Sequence, residues 1–270
     1  MSVEHSLLGK ETNYPTTYQP NILFPISRAT AREKYADIAG IQQGVDWWHI
    51  FEISWLNQHG IPQVAIGRMT LPASSPYLIE SKSLKLYFNS LNFTRFESKE
   101  HFIQTVEKDL SQAAQATVKL DLFHVDGLQI AQPNGICLDE FVPDRLENHP
   151  DASLLKLDEA ATSVHVELYS HLLRSNCPVT GQPDWGTVFI RYQGQKPCYA
   201  SLLAYIISFR EHNGFHEQCV EQMYAEIWQN LKPEKLMVYA TYTRRGGLDI
   251  NPCRVSDLSW LAQPIRLARQ

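Results

Sequence analysis

The two halves of this 270-residue chain carry the same hydrophobic pattern at an offset of about 120 residues. In each half, two stretches with alternating apolar residues come first and predict strands. Two segments with apolar residues at helical spacing follow, at 80–92 and 100–116 in the first half and at 201–213 and 217–231 in the second. A β-rich run ending on Gly-Leu-x-Ile closes each half and predicts a hairpin. The pattern therefore indicates two copies of one folding unit.

The order strand, strand, helix, helix, strand, strand predicts the fold class. It is typical of an antiparallel sheet with its helices on one side, and not of a βαβ parallel sheet. We therefore predict an α+β fold of two tandem modules, each an antiparallel four-stranded sheet with two helices on one face. Two prolines and several charges interrupt the apolar pattern within 141–157, which places the boundary there. The predicted modules are residues 1–145 and 146–270.

Charge and hydropathy argue against several functional classes. The chain has 24 Lys and Arg against 29 Asp and Glu, a net charge of −5, and no basic tail, unlike most proteins that bind duplex DNA or an anionic membrane. The longest nearly apolar stretch, 198–209, is shorter than the roughly 20 residues that a membrane-spanning helix needs. Because the N-terminal residues also lack the pattern of a secretory signal, we expect a soluble cytoplasmic protein.

The cysteines and histidines predict no metal site. The five cysteines are odd in number and too far apart for a CxxC pair, which argues against a disulfide framework and a zinc knuckle. His212 and His216 are four residues apart but belong to no HExxH motif. No GxGxxG motif occurs, so a dinucleotide would need another cradle than that of a Rossmann fold. We predict free thiols and no bound metal.

The segment 175–187 is the first candidate for chemistry. It is rich in turn-forming residues between two predicted strands, which predicts a loop. Cys177 lies in it, seven residues before Asp184. A thiol that is partly exposed beside a polar group is a candidate nucleophile. The alternative is that Cys177 packs beneath its loop and Asp184 caps a turn.

Three further segments carry polar groups whose role could be functional or only structural. Glu217, next to His216, could accept paired N–H groups from a heterocyclic base or could simply cap a helix. Lys82 and Lys85 could be solvated positions on a helix surface. The basic, glycine-rich segment 243–247 suits phosphate but is also typical of an exposed turn. Residue chemistry alone leaves these alternatives open.

The four segments together resemble a known family. The run ESKSLKLY, which begins at residue 80, is similar at all eight positions to the signature of the NADPH-dependent 7-cyano-7-deazaguanine reductases. The run SNCPVTGQPDWG resembles the catalytic loop of that family, and FHE at 215–217 resembles its substrate-binding segment. The resemblance covers essentially the whole chain and fits the long, two-module form. It implies the tunnelling fold, which GTP cyclohydrolase and other pterin enzymes share, with the signature in the N-terminal module and the catalytic cysteine in the C-terminal one.

The resemblance also implies a reaction. It is the reduction of the nitrile of 7-cyano-7-deazaguanine to 7-aminomethyl-7-deazaguanine with two NADPH, a step of queuosine biosynthesis for tRNA modification. The catalytic residues would be Cys177, which adds to the nitrile carbon to give a thioimide, and Asp184, which is the general acid. A closed pocket would exclude water, because an exposed imine hydrolyses.

The remaining roles follow from the same resemblance. The implied substrate-binding residues are Glu80, Ser81, Lys82, His216 and Glu217. The implied NADPH-binding residues are Lys82, Ser83, Arg245 and Gly246, and no metal is implied. The first-half counterpart of the cysteine loop, SWLNQHGIPQV, contains no cysteine, so we expect one functional site per chain. We expect a homodimer acting on a small molecule, with no direct nucleic-acid or membrane partner.

Two other functions stay open at this point. One is another tunnelling-fold enzyme acting on a purine or pterin, such as a cyclohydrolase, which would usually need zinc ligands. The other is a non-catalytic protein that binds a nucleobase without turning it over.

Overall fold

The computed structural model describes residues 14–160 and 162–270. Contacts divide the chain into two compact units. Of the described residues, unit 1 contains those up to Ala31 together with Trp47–Gln129 and Arg244–Asp249, and unit 2 contains Arg32–Asp46, Ile130–Thr243 and Ile250–Gln270. The modules 1–145 and 146–270 are a different division of the chain and remain a prediction. The expectation that no secretory signal is present falls mainly on residues 1–13, which lie outside the described residues.

The first half of the chain supplies the sheet and helices of unit 1. Its elements are β1 (Pro25–Ser27), α1 (Ala29–Arg32), β2 (Gly44–Leu56), β3 (Pro62–Pro72), β4 (Tyr77–Ile79), α2 (Ser81–Leu91), α3 (Lys99–Ala114) and β5 (Lys119–Phe123). Strands β1 and β4 pair antiparallel as a separate two-stranded sheet. Within unit 1 the larger sheet has the order β5-β3-β2, and β3 pairs antiparallel with β5.

The second half supplies the corresponding elements of unit 2. They are β6 (Ile136–Cys137), β7 (Ser163–Asn176), β8 (Pro183–Gln195), α4 (Tyr199–Ile207), α5 (His216–Leu231), β9 (Lys235–Tyr242) and β10 (Leu248–Val255). Their order in the sheet is β10-β9-β8-β7-β6, antiparallel except for the short parallel pair β6 and β7. Short 3₁₀ helices lie at Pro20–Ile22, Glu33–Tyr35, Leu138–Glu140, Ala152–Leu154, Ser208–Glu211 and Leu258–Trp260.

The predicted α+β class is confirmed, and the predicted element order holds through the second half. One detail differs in the first half, where β5 ends at Phe123 and residues 124–130 form no strand. The side chains of Val125 and Ile130 are 45% and 60% exposed, so a strand here would have no buried face to stabilise it. The hairpin predicted from the β-rich run that ends at Ile130 is therefore wrong in the first half. None of the helices in the described ranges is both long and apolar enough to span a bilayer.

The helix pairs of the two units match position by position. The seventh residue of α2, Tyr87, donates a hydrogen bond of 2.7 Å to Asp109, the eleventh residue of α3. In unit 2 the seventh residue of α4, Tyr205, donates 2.5 Å to Glu226, the eleventh residue of α5. Both α3 and α5 have 16 residues and end on a left-handed residue. The repeat predicted from the sequence thus extends to the length and C-cap of the second helix and to a side-chain contact between the two helices.

The strand pairing repeats in the same register. In unit 1, Ile66 of β3 is opposite Phe123 of β5. In unit 2, Gly186 of β8 is opposite Tyr242 of β9. Each residue of the second pair follows its counterpart by about 120 positions, and the next four pairs continue in step. Because a shift of one residue would turn every side chain to the other face, equal register gives both units the same inward-facing positions.

Unit 2 contains a buried network of charges. Arg254 is fully buried and contacts Asp46 at 2.7 Å and Glu221 at 2.6 Å. Arg32 contacts the same Glu221 at 2.5 Å. Buried charges are tolerated when they are paired and hydrogen-bonded, and removing one partner leaves an uncompensated charge in a medium of low dielectric constant.

We therefore predict that Arg254→Met lowers the free energy of unfolding by about 3–5 kcal/mol, because Asp46 and Glu221 lose their shared cation. Urea denaturation followed by circular dichroism measures this change. The control is Arg145→Ala, which breaks the surface pairs with Glu147 and Asp151 and should cost less than about 1 kcal/mol. Equal effects of the two substitutions would contradict the prediction.

Candidate active site

Cys177 begins a tight connection between two strands. Strand β7 runs to Asn176 and β8 begins at Pro183, so the loop covers only 177–182. The prediction of a loop over the whole of 175–187 is wrong at both ends, because Ser175 and Asp184 are paired across the two strands and are almost fully buried. The turn-forming residues at both ends of this segment lie in paired strands, where burial of alternate side chains outweighs their preference for turns.

The backbone of this loop closes over Cys177. The Cys177 N–H donates to the carbonyl of Gln182 at 2.9 Å, and the Gly181 N–H donates to the carbonyl of Cys177 at 3.0 Å. Gly181 has a φ of 67°, the left-handed conformation that favours glycine. As a result the Cys177 side chain is 6% exposed, in contrast to the partial exposure expected from the sequence.

Asp184 and His216 lie close together in unit 2. Nε2 of His216 is 3.3 Å from Oδ2 of Asp184, and both side chains are buried. The ring of His216 stacks on Tyr242, with centroids 3.7 Å apart and planes 7° apart. This stacking fixes the imidazole plane, and the carboxylate lies at its edge. Nδ1 of His216 has no hydrogen-bond partner within the part of the chain that the structure describes.

The start of α5 is tied to the end of β7. The Asn176 N–H donates to the carbonyl of His212 at 2.8 Å, and the Gly214 N–H donates to the carbonyl of Asn176 at 3.1 Å. A Cβ at Gly214 would lie 2.8 Å from Nε2 of His212, so a larger residue would displace that ring. These bonds bring Cys177, the residue after Asn176, to the segment that begins α5. His216 and Glu217 are the first two helical residues, and Glu217 is 2% exposed.

A buried polar cluster that the sequence analysis did not single out lies among these residues. Burial raises the pKa of the Cys219 thiol to about 12, and the neighbouring hydroxyl groups of Ser175 and Tyr242 lower it by a smaller amount. The charges of Asp184 and Glu217 raise it further. Cys219 is therefore a neutral thiol at physiological pH. Its spacing of three residues from His216, which puts both on one side of a helix, was a signal that could have found it.

The predicted signature residues lie in unit 1 at the start of α2. Glu80 is the N-cap residue, 1% exposed, and its two carboxylate oxygens accept from the backbone N–H groups of Lys82 at 2.7 Å and Ser83 at 2.8 Å. The Ser83 hydroxyl donates to the carbonyl of Glu80 at 2.7 Å and accepts from the Phe24 N–H at 3.0 Å. Ser81 and Lys82 are half-buried. The signature therefore builds a helix N-terminus in which Glu80 and Ser83 are capping residues.

A cationic turn of unit 1 contains Arg245 and Gly246. Its backbone is closed by the Arg245 N–H donating to the carbonyl of Leu248 at 2.8 Å, and Gly246 has a φ of 57°. A Cβ at Gly246 would lie 3.2 Å from Cε of Lys85. Since Lys85 is on α2, the turn and the signature helix are neighbours in unit 1.

The predicted site residues fall into two groups. Unit 2 brings together Cys177, Asp184, His216 and Glu217. Unit 1 contains the N-terminal substrate residues and the predicted cofactor residues, namely Glu80, Ser81, Lys82, Ser83, Arg245 and Gly246. Within residues 14–160 and 162–270, no cluster of three or more His, Cys, Asp or Glu side chains could hold a metal ion.

Comparison with known proteins identifies the family of this chain. A family model described as nitrile reductase, 7-cyano-7-deazaguanine-reductase N-term, matches residues 14–122. A second model, described as QueF-like protein, matches residues 183–258. One match lies in each half of the chain, and the N-terminal model matches the first half, as the resemblance implied.

Full-length relatives carry one name. The NADPH-dependent 7-cyano-7-deazaguanine reductase of Acinetobacter baumannii strain AYE is 78% identical over 270 residues, with 100% of both chains covered. Proteins of the same name from Acinetobacter baylyi and Psychrobacter cryohalolentis are 76% and 52% identical over 273 and 282 residues, and the alignments cover at least 98% of every chain. The resemblance carried by the signature, the cysteine loop and the FHE segment is thus confirmed along the whole sequence, and the chain belongs to the NADPH-dependent 7-cyano-7-deazaguanine reductase family.

Proposed function

We propose that this protein is an oxidoreductase that reduces the nitrile of 7-cyano-7-deazaguanine to the primary amine of 7-aminomethyl-7-deazaguanine in queuosine biosynthesis. The reaction takes four electrons and adds four hydrogens to one C≡N bond, so two NADPH and two protons are consumed. The observation that carries the proposal is the grouping of Cys177, Asp184, His216 and Glu217 in unit 2 of a chain whose relatives carry this name.

Cys177 is the proposed nucleophile. A nitrile carbon is a weak hydride acceptor, and adding the thiolate sulfur makes a thioimide, which is a better one. One S–C bond forms, the C≡N bond becomes C=N, and the nitrogen takes a proton. The position of Cys177 directly after the tied residue Asn176 supports this role, because it holds the sulfur close to the start of α5.

Asp184 is the proposed proton carrier between the thiol and the nitrile nitrogen. It is 1% exposed and is in the same unit as Cys177, which supports a role inside a closed site. His216, 3.3 Å away, is fixed by its stacking on Tyr242 and presents a second polar edge. Burial of this group of residues also keeps water from an imine intermediate.

Glu217 is the proposed anchor of the heterocycle. An ionised carboxylate has two acceptor oxygens in one plane, which match a ring N–H and an exocyclic amine. Its place in the first turn of α5 supports this role, because the helix dipole stabilises a negative charge there. His216, and in unit 1 Glu80, Ser81 and Lys82, complete the proposed substrate set.

Unit 1 supplies the proposed NADPH residues. The 2′-phosphate that distinguishes NADPH from NADH calls for cations, and Lys82 and Arg245 supply them with Lys85 nearby. The absence of a side chain at Gly246 allows close approach of a phosphate. Ser83 belongs to the proposed set because it is next to Lys82 in the same signature run. When bound, NADPH supplies hydride to the carbon that Cys177 has activated. We further propose a cytoplasmic homodimer that acts on the free base and does not bind nucleic acid directly.

The direct test of the proposed function mixes the purified protein with 7-cyano-7-deazaguanine and NADPH and follows the loss of reduced-nicotinamide absorbance. We expect two NADPH consumed for each amine formed, because the reduction takes four electrons. Binding of the nitrile without NADPH consumption would favour a non-catalytic nucleobase-binding protein. Turnover of a pterin or purine without NADPH would favour a cyclohydrolase-like enzyme.

For Cys177, intact-protein mass spectrometry without NADPH should detect a covalent adduct of the mass of the nitrile, and Cys177→Ala should abolish it. The matched control is Cys198→Ala at the N-cap of α4, which should keep the adduct. An adduct that persists in the Cys177 variant would reject this residue as the nucleophile.

For Asp184, replacement by Asn should lower kcat by about 10²–10⁴-fold and change nitrile binding far less, because the amide keeps the shape of the side chain but transfers no proton. Asp158→Asn, which removes a surface carboxylate paired with Lys196, is the control and should keep kcat. If the Asp184 variant turns over at the rate of the control, another group carries the proton.

A further inference from the structure

A buried pair of polar side chains lies at the base of the turn that contains Arg245 and Gly246. His49 is in β2 and Asp249 is in β10, both belong to unit 1, and they are 4% and 1% exposed. Nδ1 of His49 is 2.8 Å from Oδ1 of Asp249, and the same oxygen accepts from the His49 backbone N–H at 3.2 Å. None of the roles proposed above uses this pair.

Arg68 determines which ring nitrogen of His49 carries the proton. Nε of Arg68 donates to Nε2 of His49 at 3.3 Å. Since a guanidinium has only donors, Nε2 must be the acceptor, and a neutral imidazole then has its proton on Nδ1 and donates it to Asp249. His49 therefore links the cation of Arg68 on β3 to the anion of Asp249 on β10, and gives this buried carboxylate a hydrogen bond that stabilises its charge.

Backbone bonds connect Asp249 to the exposed part of the turn. The Arg245 N–H donates to the carbonyl of Leu248 at 2.8 Å, and the Leu248 N–H donates back to the carbonyl of Arg245 at 3.3 Å. The Phe51 N–H of β2 donates to the carbonyl of Gly247 at 2.9 Å. Because Leu248 lies between Gly247 and Asp249, a shift of Asp249 away from β2 would move the residue on which Arg245 closes the turn.

The residues of the turn itself bury little surface. Gly246 is exposed and Arg245 is half-buried. Gly246 and Gly247 have φ values of 57° and 79°, and glycine has the widest choice of backbone conformations. The buried contacts at the base of the turn therefore contribute to fixing where the Arg245 guanidinium lies.

We propose that His49 is a positioning residue for NADPH, which holds Asp249 at β2 and so fixes the turn that presents Arg245 and Gly246 to the phosphate. This proposal rests on the proposed function, for which it names a residue that acts on cofactor affinity. In this role His49 acts through Asp249 and needs no contact with NADPH or with the nitrile. A displaced cation binds phosphate more weakly, because charge-assisted hydrogen bonds depend on short distances and fixed geometry.

The test begins with His49→Leu, which removes both ring hydrogen bonds and leaves an apolar side chain. KM for NADPH should rise by about tenfold, while KM for 7-cyano-7-deazaguanine should change by less than about twofold. Because Arg245 is proposed to contact the 2′-phosphate, the ratio of kcat/KM for NADPH to that for NADH should fall by about fivefold. Steady-state kinetics with each cofactor measures these values.

His49→Asn is the conservative variant. Its amide can donate to Asp249 from near the position of Nδ1 but is too short to reach Arg68. KM for NADPH should therefore stay within about threefold of the value for the unmodified protein.

The matched control is Asp109→Ala, which disturbs unit 1 away from the turn. It removes the carboxylate that accepts from Tyr18 at 2.6 Å and from Tyr87 at 2.7 Å. It should lower the temperature of thermal unfolding but change KM for NADPH by less than about twofold. Thermal unfolding also identifies the variants that fold.

Each outcome decides a separate point. If the unmodified protein does not consume NADPH with the nitrile, the proposed function fails, whatever the variants do. If it does, and folded His49→Leu keeps the KM for NADPH and the preference over NADH, the positioning role is overturned. A parallel rise of both KM values, an equal loss in His49→Asn, or an equal effect of Asp109→Ala would also overturn it, since each describes a general loss of structure.

A second variant decides the matter if His49→Leu does not fold. Arg68→Met changes a half-buried position on β3 and removes the donor to Nε2 of His49. KM for NADPH should rise by about threefold with KM for the nitrile unchanged. An unchanged KM for NADPH in this folded variant would overturn the proposal.

Discussion

The hydrogen bonds between Asn176 and the segment 212–214 are the constraint on which the candidate site depends. They join the end of β7 to the chain just before α5. Because Cys177 follows Asn176 and His216 follows Gly214 by two residues, one backbone contact brings the thiol to the helix that begins with His216 and Glu217. Asp184 then reaches the same place because it is opposite Ser175 in the strand pair. Residues from three distant parts of unit 2 are thus positioned by backbone bonds that do not depend on their side chains.

The same backbone contact occurs in unit 1, where the Leu56 N–H donates to the carbonyl of Thr94 and the Phe96 N–H donates to the carbonyl of Leu56. The length and left-handed C-cap of the second helix, the tyrosine–carboxylate contact and the strand register are also common to both units. What differs is the side chains beside the strand end, because Trp55 stacks on Phe102 in unit 1, whereas unit 2 has Ser175 and Cys219 there. The two units therefore share a backbone scaffold, and the chemistry of the candidate site depends on the side chains of unit 2.

The sequence predicted the scaffold well because periodicity and capping are local. The predicted helix at 80–92 is α2, Ser81–Leu91, and Glu80 before it is the cap. In two places tertiary packing outweighed the local sequence preferences for a turn or a strand. The turn-rich run around Cys177 is mostly strand, since Ser175 and Asp184 pair across it, and the alternating run after Phe123 forms no strand. The contacts of Ser175 and Tyr242 with Cys219 join three elements and could not be read from the spacing in any one of them.

The central claim is that the nitrile is held covalently on Cys177 of unit 2. A crystal structure of the protein with 7-cyano-7-deazaguanine in the absence of NADPH tests it most directly. The account predicts continuous electron density between Sγ of Cys177 and the nitrile carbon, with the heterocycle against Glu217. A heterocycle bound away from an unmodified Cys177 would contradict the account.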